Sequence, residues 1–188
     1  MQITDAFSHD CIILDACCII NLFASQQMRA ILESIPRSLS VAAYVKDHEA
    51  LKIYTGPIDN VQATTELIDL QPFIGKNLLV LADIETEEET TTYINLSERL
   101  DDGEAITGAI AINRNWAIAT DDIASLKLFQ SRTPNIALVS TLDLVKYWVD
   151  TVKPNDGLIY ETLLNIRLRG RYEPHRNHPL REWWQKYR

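Results

Sequence analysis

The sequence predicts an α/β fold: a central parallel sheet of about five strands with helices on both faces. Three observations carry that expectation. Apolar runs of strand length alternate with longer segments of helical periodicity. The first run, "CIIL" at 11–14, is apolar at every position, as a strand buried on both faces must be. Breakers separate the segments, at Pro36, at "GPIDN" (56–60) and at Gly75.

The first strand ends at Asp15, and a helix follows through Leu22. A second helix covers "QQMRAILESI" (26–35) and stops before Pro36. "SLSVAA" (38–43) is the second strand. "AYVKDHEALKIY" (43–54) reads as a helix, with Tyr44, Val45 and His48 on one face and Glu49 near its middle. Past the turn, "VQATTELIDLQPFIG" (61–75) reads as a helix closed by Gly75, and "NLLVLAD" (77–83) as a strand. Thr86 caps an acid-rich helix, "TEEETTTYINLSERL". Helix "DGEAITGAIAINRN", strand "WAIAT", helix "IASLKLFQSR" and strand "NIALVS" continue the alternation. Leu142, Leu144, Val145, Trp148 and Val149 fall at helical spacing, so 141–152 is a helix.

With 188 residues, 46% hydrophobic and 23% charged, the chain can bury one core. No apolar run reaches the roughly 18 residues of a membrane span. "MQITDAFSHD" has acids and no basic region, so no signal peptide is expected. Cys11, Cys17 and Cys18 sit in one apolar segment, an odd number that makes no disulfide framework; they read as small buried hydrophobes in a reducing, cytoplasmic setting. Charge is uneven. Residues 1–152 hold 10 Lys and Arg against 22 Asp and Glu, or −12, whereas 153–188 hold 8 against 4, or +4. An acidic body suits cations and a basic tail suits an anionic partner, although a plain solvated surface carries the same numbers.

Ligands of open parallel sheets bind outside the carboxyl ends of the strands. Asp15 falls there after the first strand, and Asp121 and Asp122 after the fourth. Glu104 opens a helix, two positions after Asp102, and Glu49 lies on an earlier one. Clustered carboxylates repel one another and resist desolvation. Mg²⁺ or Mn²⁺ relieves both costs, since hard cations prefer carboxylate oxygens and water, and such a site suits phosphodiester hydrolysis. Each acid also has a structural role open to it: Asp15, Asp121 and Asp122 as helix caps, Glu104 as the answer to a helix dipole, Glu49 as ordinary surface. Asp101 and Asp102 read as helix-start residues. No Walker A or G-x-G-x-x-G loop is present. An Asp-x-Asp phosphohydrolase motif is also absent, because residue 17 is Cys.

In "IILDACCIINLF", "YVKDHEA", "DDGEAITGAIAI" and "ATDDIASLKLF" the chain resembles the PIN-domain nucleases, which include VapC-type toxins. Asp15 matches the acid after the first strand, and Glu104 the acid of a G-E-A helix start. Asp122 matches a T-x-D segment with Asp121 beside it, and Glu49 a V-x-x-E acid, here one residue further on. The resemblance covers roughly Cys11 to Val139. It implies a three-layer α/β/α sandwich that cleaves RNA with Mg²⁺ or Mn²⁺. Asp15, Glu104, Asp121 and Asp122 would hold the metal, and Glu49 would complete the catalytic set. The partners it implies are RNA, an antitoxin protein and a second copy of the chain; a non-catalytic PIN-like module binding RNA or protein is the rival reading. Residues 1–140 would form the nuclease domain and 141–188 a helical extension packed on it.

That extension interleaves Arg167, Arg169, Arg171, Arg176 and Arg181 with Tyr172, Trp183, Trp184 and Tyr187. Arginines and aromatics together can meet phosphates and unpaired bases. Adjacent tryptophans on a free tail would be a liability, so packing back onto the domain is favoured. Asn21 and Thr120 are candidate helpers of the acid site. His175 and His178 lack cysteine partners for zinc.

Overall fold

The structure, a computed structural model, describes residues 3–50, 52–55, 64–133 and 135–187. Its centre is a five-stranded, all-parallel sheet flanked by helices, a three-layer α/β/α sandwich. The strands are β1 (Cys11–Leu14), β2 (Ser38–Ala42), β5 (Val80–Ala82), β6 (Ala117–Ala119) and β7 (Leu138–Val139), ordered β5-β2-β1-β6-β7. Ile12, Ile13 and Leu14 are wholly buried, so the unbroken apolar run marks the central strand. From β1 the chain steps outward to β2 and β5, then returns to β6 and β7 on the other side. The order reverses between β1 and β6, which opens a crevice at their carboxyl ends.

Most helices follow the sequence. α2 (Ala16–Ala24) begins at Asp15 and α3 (Met28–Ser34) ends two residues before Pro36. Thr86 caps α6 (Glu87–Leu96) by accepting from the Glu89 amide. α7 (Asp102–Arg114) packs on α6 and buries Gly103 and Ala105 through Ala111. α8 (Ile123–Arg132) follows β6, and α9 (Thr141–Val152) follows β7.

Two expected helices are not formed as read. The segment 43–54 is helical only at α4 (Ala43–His48), Glu49 is its C-cap, and Lys52–Tyr54 forms β3. Within 61–75, Thr65–Leu67 forms β4, antiparallel to β3, and helix is confined to α5 (Gln71–Ile74). The turn "GPIDN" and residues 61–63 lie outside the described residues. In β3 only Ile53 is buried, between exposed Lys52 and Tyr54. That period of two, with threonines facing across the pair, favours strand pairing over helix.

The tail packs back onto the domain. α10 (Asp156–Arg169) lies against α2, and Trp184 of α11 (Arg181–Lys186) is buried in the common core. Tyr172 meets Trp184 edge-on at 6.0 Å, and Lys146 sits 5.9 Å from the Trp183 ring. Between α10 and α11, residues 170–180 form a strap that returns to the carboxyl edge of the sheet. No helix among the described residues is long and apolar enough to cross a membrane.

Candidate functional site

Asp15 caps α2 at the switch point and is almost fully buried. One carboxylate oxygen accepts from the Ala16 amide at 2.8 Å. The other accepts from the Thr120 hydroxyl at 2.9 Å and from the Cys17 thiol at 3.3 Å. Burial pushes its pKa up, with the negative charge of Asp101 adding to the rise and the hydrogen bonds opposing it. Thr120 also accepts from the Asp122 amide at 3.1 Å, so one hydroxyl ties the ends of β1 and β6 together.

Glu104 enters from the opposite side in the first turn of α7. Asp101 caps that helix by accepting from the Glu104 amide at 2.9 Å. Burial raises the Glu104 carboxyl to about 7; the Ser125 hydroxyl opposes this, and the charges of Asp101, Asp122 and Asp15 add to it. Glu49 reaches the same helix start, where the Gly103 amide donates to it at 2.9 Å. A Cβ at Gly103 would sit 1.9 Å from the Glu49 carboxylate, so only glycine admits this contact. Burial, then Asp101, raises Glu49 too.

Asp15, Glu49 and Glu104 therefore share one electrostatic environment: the charge of Asp101 raises all three, and that of Asp122 raises Glu104. Asp122 also caps α8, accepting from the Ser125 amide at 2.8 Å. Asp101 is the helix-start residue that the sequence predicts, and its charge also bears on Asp15, Glu49 and Glu104. Asp102 is turned away and held by the hydroxyls of Tyr93 at 2.9 Å and Tyr44 at 3.3 Å.

Asp121 stands in a different network. Its oxygens accept from Asn21 at 3.0 Å, from the Thr141 amide at 3.1 Å, from the Thr141 hydroxyl and from the Tyr172 hydroxyl at 3.3 Å. Burial raises its pKa, while the Thr141 and Asn21 donors and nearby His178 lower it. His178 itself meets the Ser140 hydroxyl at 3.0 Å, and burial lowers its pKa. Among the described residues, the one trio of metal-type side chains with ligand atoms within 4.8 Å of one another is Cys17, Cys18 and Asp121. The Cys18 thiol is held protonated by burial, and Asp121 is already satisfied by its donors.

No family model matches the chain, and no curated protein matches it.

The donor set around Glu104 suits a hard divalent cation: carboxylate oxygens, desolvated, with other carboxylates as the principal charges. The acids approach without converging within 4.8 Å as a trio. Mg²⁺ tolerates this, because it keeps several waters and takes only one or two protein carboxylates.

The raised Glu104 pKa has a direct consequence for cation-free protein. Below the ordinary carboxylate range, Glu104 is protonated whether folded or unfolded and has no effect. As pH rises towards about 7, only the unfolded chain releases its proton, so stability falls, and it levels off above 7. Glu104→Gln removes this loss. Its melting temperature is expected to exceed wild type by more at pH 8 than at pH 5 in EDTA; an equal difference at both would show that Glu104 is not so perturbed.

Proposed function

We propose that the chain is a Mg²⁺- or Mn²⁺-dependent endoribonuclease of PIN type, acting in the cytoplasm as the toxin of a toxin–antitoxin pair. The supporting observation is the placement of Asp15 and Glu104, desolvated and mutually repelling, across the switch point of a parallel sheet. The order of the acids along the chain agrees with the resemblance read from the sequence.

In this reading Asp15 and Glu104 hold the cation, with Asp122 and Glu49 shaping the charge around it. Thr120 fixes the rotamer of Asp15 through its hydrogen bond. Glu104 gives up its proton when the cation arrives, so binding strengthens as pH rises towards about 7. The cation supplies Lewis acidity and charge neutralisation to a scissile phosphodiester. Asp121 acts from behind, anchoring α2, α9 and the strap around the end of β6.

Purified protein is expected to cleave single-stranded RNA with Mn²⁺ and to stop when EDTA is added. Failure to cleave with either Mn²⁺ or Mg²⁺ would sink the enzyme reading. One observation favours a non-catalytic PIN-like module instead: Glu49 is occupied by the Gly103 amide and the acids stay apart. Calorimetry showing no Mn²⁺ binding would select that alternative.

A further inference from the structure

Cys17, Cys18 and Asp121 form a cluster that the hard-cation chemistry around Glu104 does not use. Their sulfur and carboxylate atoms all lie within 4.8 Å of one another. Cys18 Sγ stands 3.8 Å from Asp121 Oδ2. Two ligands of one tetrahedral Zn²⁺ stand roughly 3.5–3.8 Å apart, given bonds of about 2.0–2.3 Å. The trio therefore needs only a small closure to become a ligand set. Both cysteines lie in the first turn of α2, and Asp121 follows β6. An ion held by all three would clamp the ends of β1 and β6 together at the switch point.

What denies the trio to Mg²⁺ does not deny it to a thiophilic ion. Burial holds Cys18 as a thiol while no ion is present. Zn²⁺ takes the place of a thiol proton, whereas Mg²⁺ does not compete for sulfur. The surrounding donors are those that thiolates and a ligating carboxylate require. The Asp121 amide donates to Cys17 at 3.2 Å, and the Thr141 hydroxyl donates to Cys18 at 3.4 Å. Asn21 and Tyr172 hold Asp121 at 3.0 and 3.3 Å, as outer partners orient a ligand. Thr141 has two acceptors, Cys18 and Asp121 Oδ2. Once Cys18 is a thiolate, that hydroxyl turns to the sulfur and frees Oδ2 for the ion.

An entry path exists. A cleft of about 970 Å³ between α2, α8 and the strap opens onto Cys17 and Asp121. Its lining carries Asp121, Asp122 and Glu173 against Lys127 and Arg171, so it favours cations over anions. Cys17 is half-buried and Cys18 wholly buried, so an ion reaches Cys17 first. A water from the cleft can take the fourth position. We propose that Cys17, Cys18 and Asp121 bind one thiophilic divalent cation of the Zn²⁺ class, at a site chemically distinct from the acids around Glu104. The proposal does not depend on the ribonuclease reading.

The test is titration of the reduced, full-length protein with Cd²⁺, a Zn²⁺ surrogate. Cd²⁺ bonds to thiolate give an ultraviolet charge-transfer band, and its bonds to carboxylate give none. The band should saturate at one Cd²⁺ per chain, be reversed by Zn²⁺ and be untouched by excess Mg²⁺. Cys17→Ala is expected to weaken Cd²⁺ binding by about 100-fold or more. Cys17 is half-buried, so this replacement leaves the core in place even if Cys18→Ala does not fold. Cys11→Ala, at the far end of β1, and Glu104→Gln, in the acid site, should both keep the band. No band in wild type, a band that Cys17→Ala retains, or a band that Cys11→Ala loses overturns the proposal. A band that needs Cys17, in a protein that cleaves no RNA, upholds this site and removes the nuclease reading. RNA cleavage without a band does the reverse.

Discussion

If the proposed ribonuclease activity holds, Asp15→Asn and Glu104→Gln are each expected to lower Mn²⁺-dependent RNA cleavage by about 100-fold or more, with the fold intact. Both replacements keep size and remove the charge; in Asp15→Asn the oxygen that accepts from Thr120 and Cys17 also becomes an amide donor. Asn is as good a helix cap as Asp, so α2 keeps its start. Gln at 104 can still reach back to the Asp101 amide, as Glu does at 3.4 Å. In Glu104→Gln a carboxylate raised by burial becomes a neutral amide, so that variant should not melt below wild type in EDTA. A loss of activity with equal or greater stability is the signature of a site that stores electrostatic cost for function. Cleavage by both variants at the wild-type rate would remove the acids from the chemistry.

The second large effect is on stability. Arg114→Met is expected to cost about 3–5 kcal/mol in urea unfolding, because it strands a buried carboxylate. Glu89 is almost wholly buried, and Arg114 meets it through two nitrogens, at 2.6 and 3.1 Å. A further bond at 2.7 Å joins Arg114 to the Asp83 carbonyl, so one guanidinium ties the end of α7 to the start of α6 and to the chain after β5. Arg114 holds the Glu89 carboxyl below its ordinary value, despite burial. A depressed carboxyl stabilises the fold above its unfolded-state pKa, and that contribution is lost as pH falls through the folded value. The difference between wild type and variant should therefore narrow in acid. Adding Glu89→Leu to Arg114→Met should restore much of the loss, since two apolar groups replace the pair without a stranded charge. A single variant within about 1 kcal/mol of wild type would contradict this account.

Much of the sheet was legible because parallel strands buried on both faces are written as unbroken apolar runs. "CIIL" and "WAIAT" need no partner to be recognised, and they bring Asp15 and Asp121–Asp122 to one edge. The β3–β4 hairpin was not legible. Its strands are three residues each, mostly exposed, and their pairing depends on a chain reversal rather than on local pattern. That misreading put Glu49 in mid-helix, whereas its position as C-cap lets it reach Gly103. Asp121 and Asp122 are neighbours with opposite surroundings, and the difference is set by Asn21, Thr141 and Tyr172, which lie 100, 20 and 51 residues away. Spacing along a chain carries no trace of such distant donors. Local capping, by contrast, was readable at Thr86, and at Asp101 as a helix start.

The bare backbone at Gly103 sets two selections against each other. A helix generally gains by exchanging glycine for alanine, by about 0.5–1 kcal/mol in its middle and less in its first turn. Any such exchange here would evict Glu49 from the helix start. Selection for robustness alone would fill the position, and selection for the company of Glu49 and Glu104 would keep it empty. In this sequence residue 103 is glycine, so the chain keeps the Glu49 contact where alanine would favour the helix.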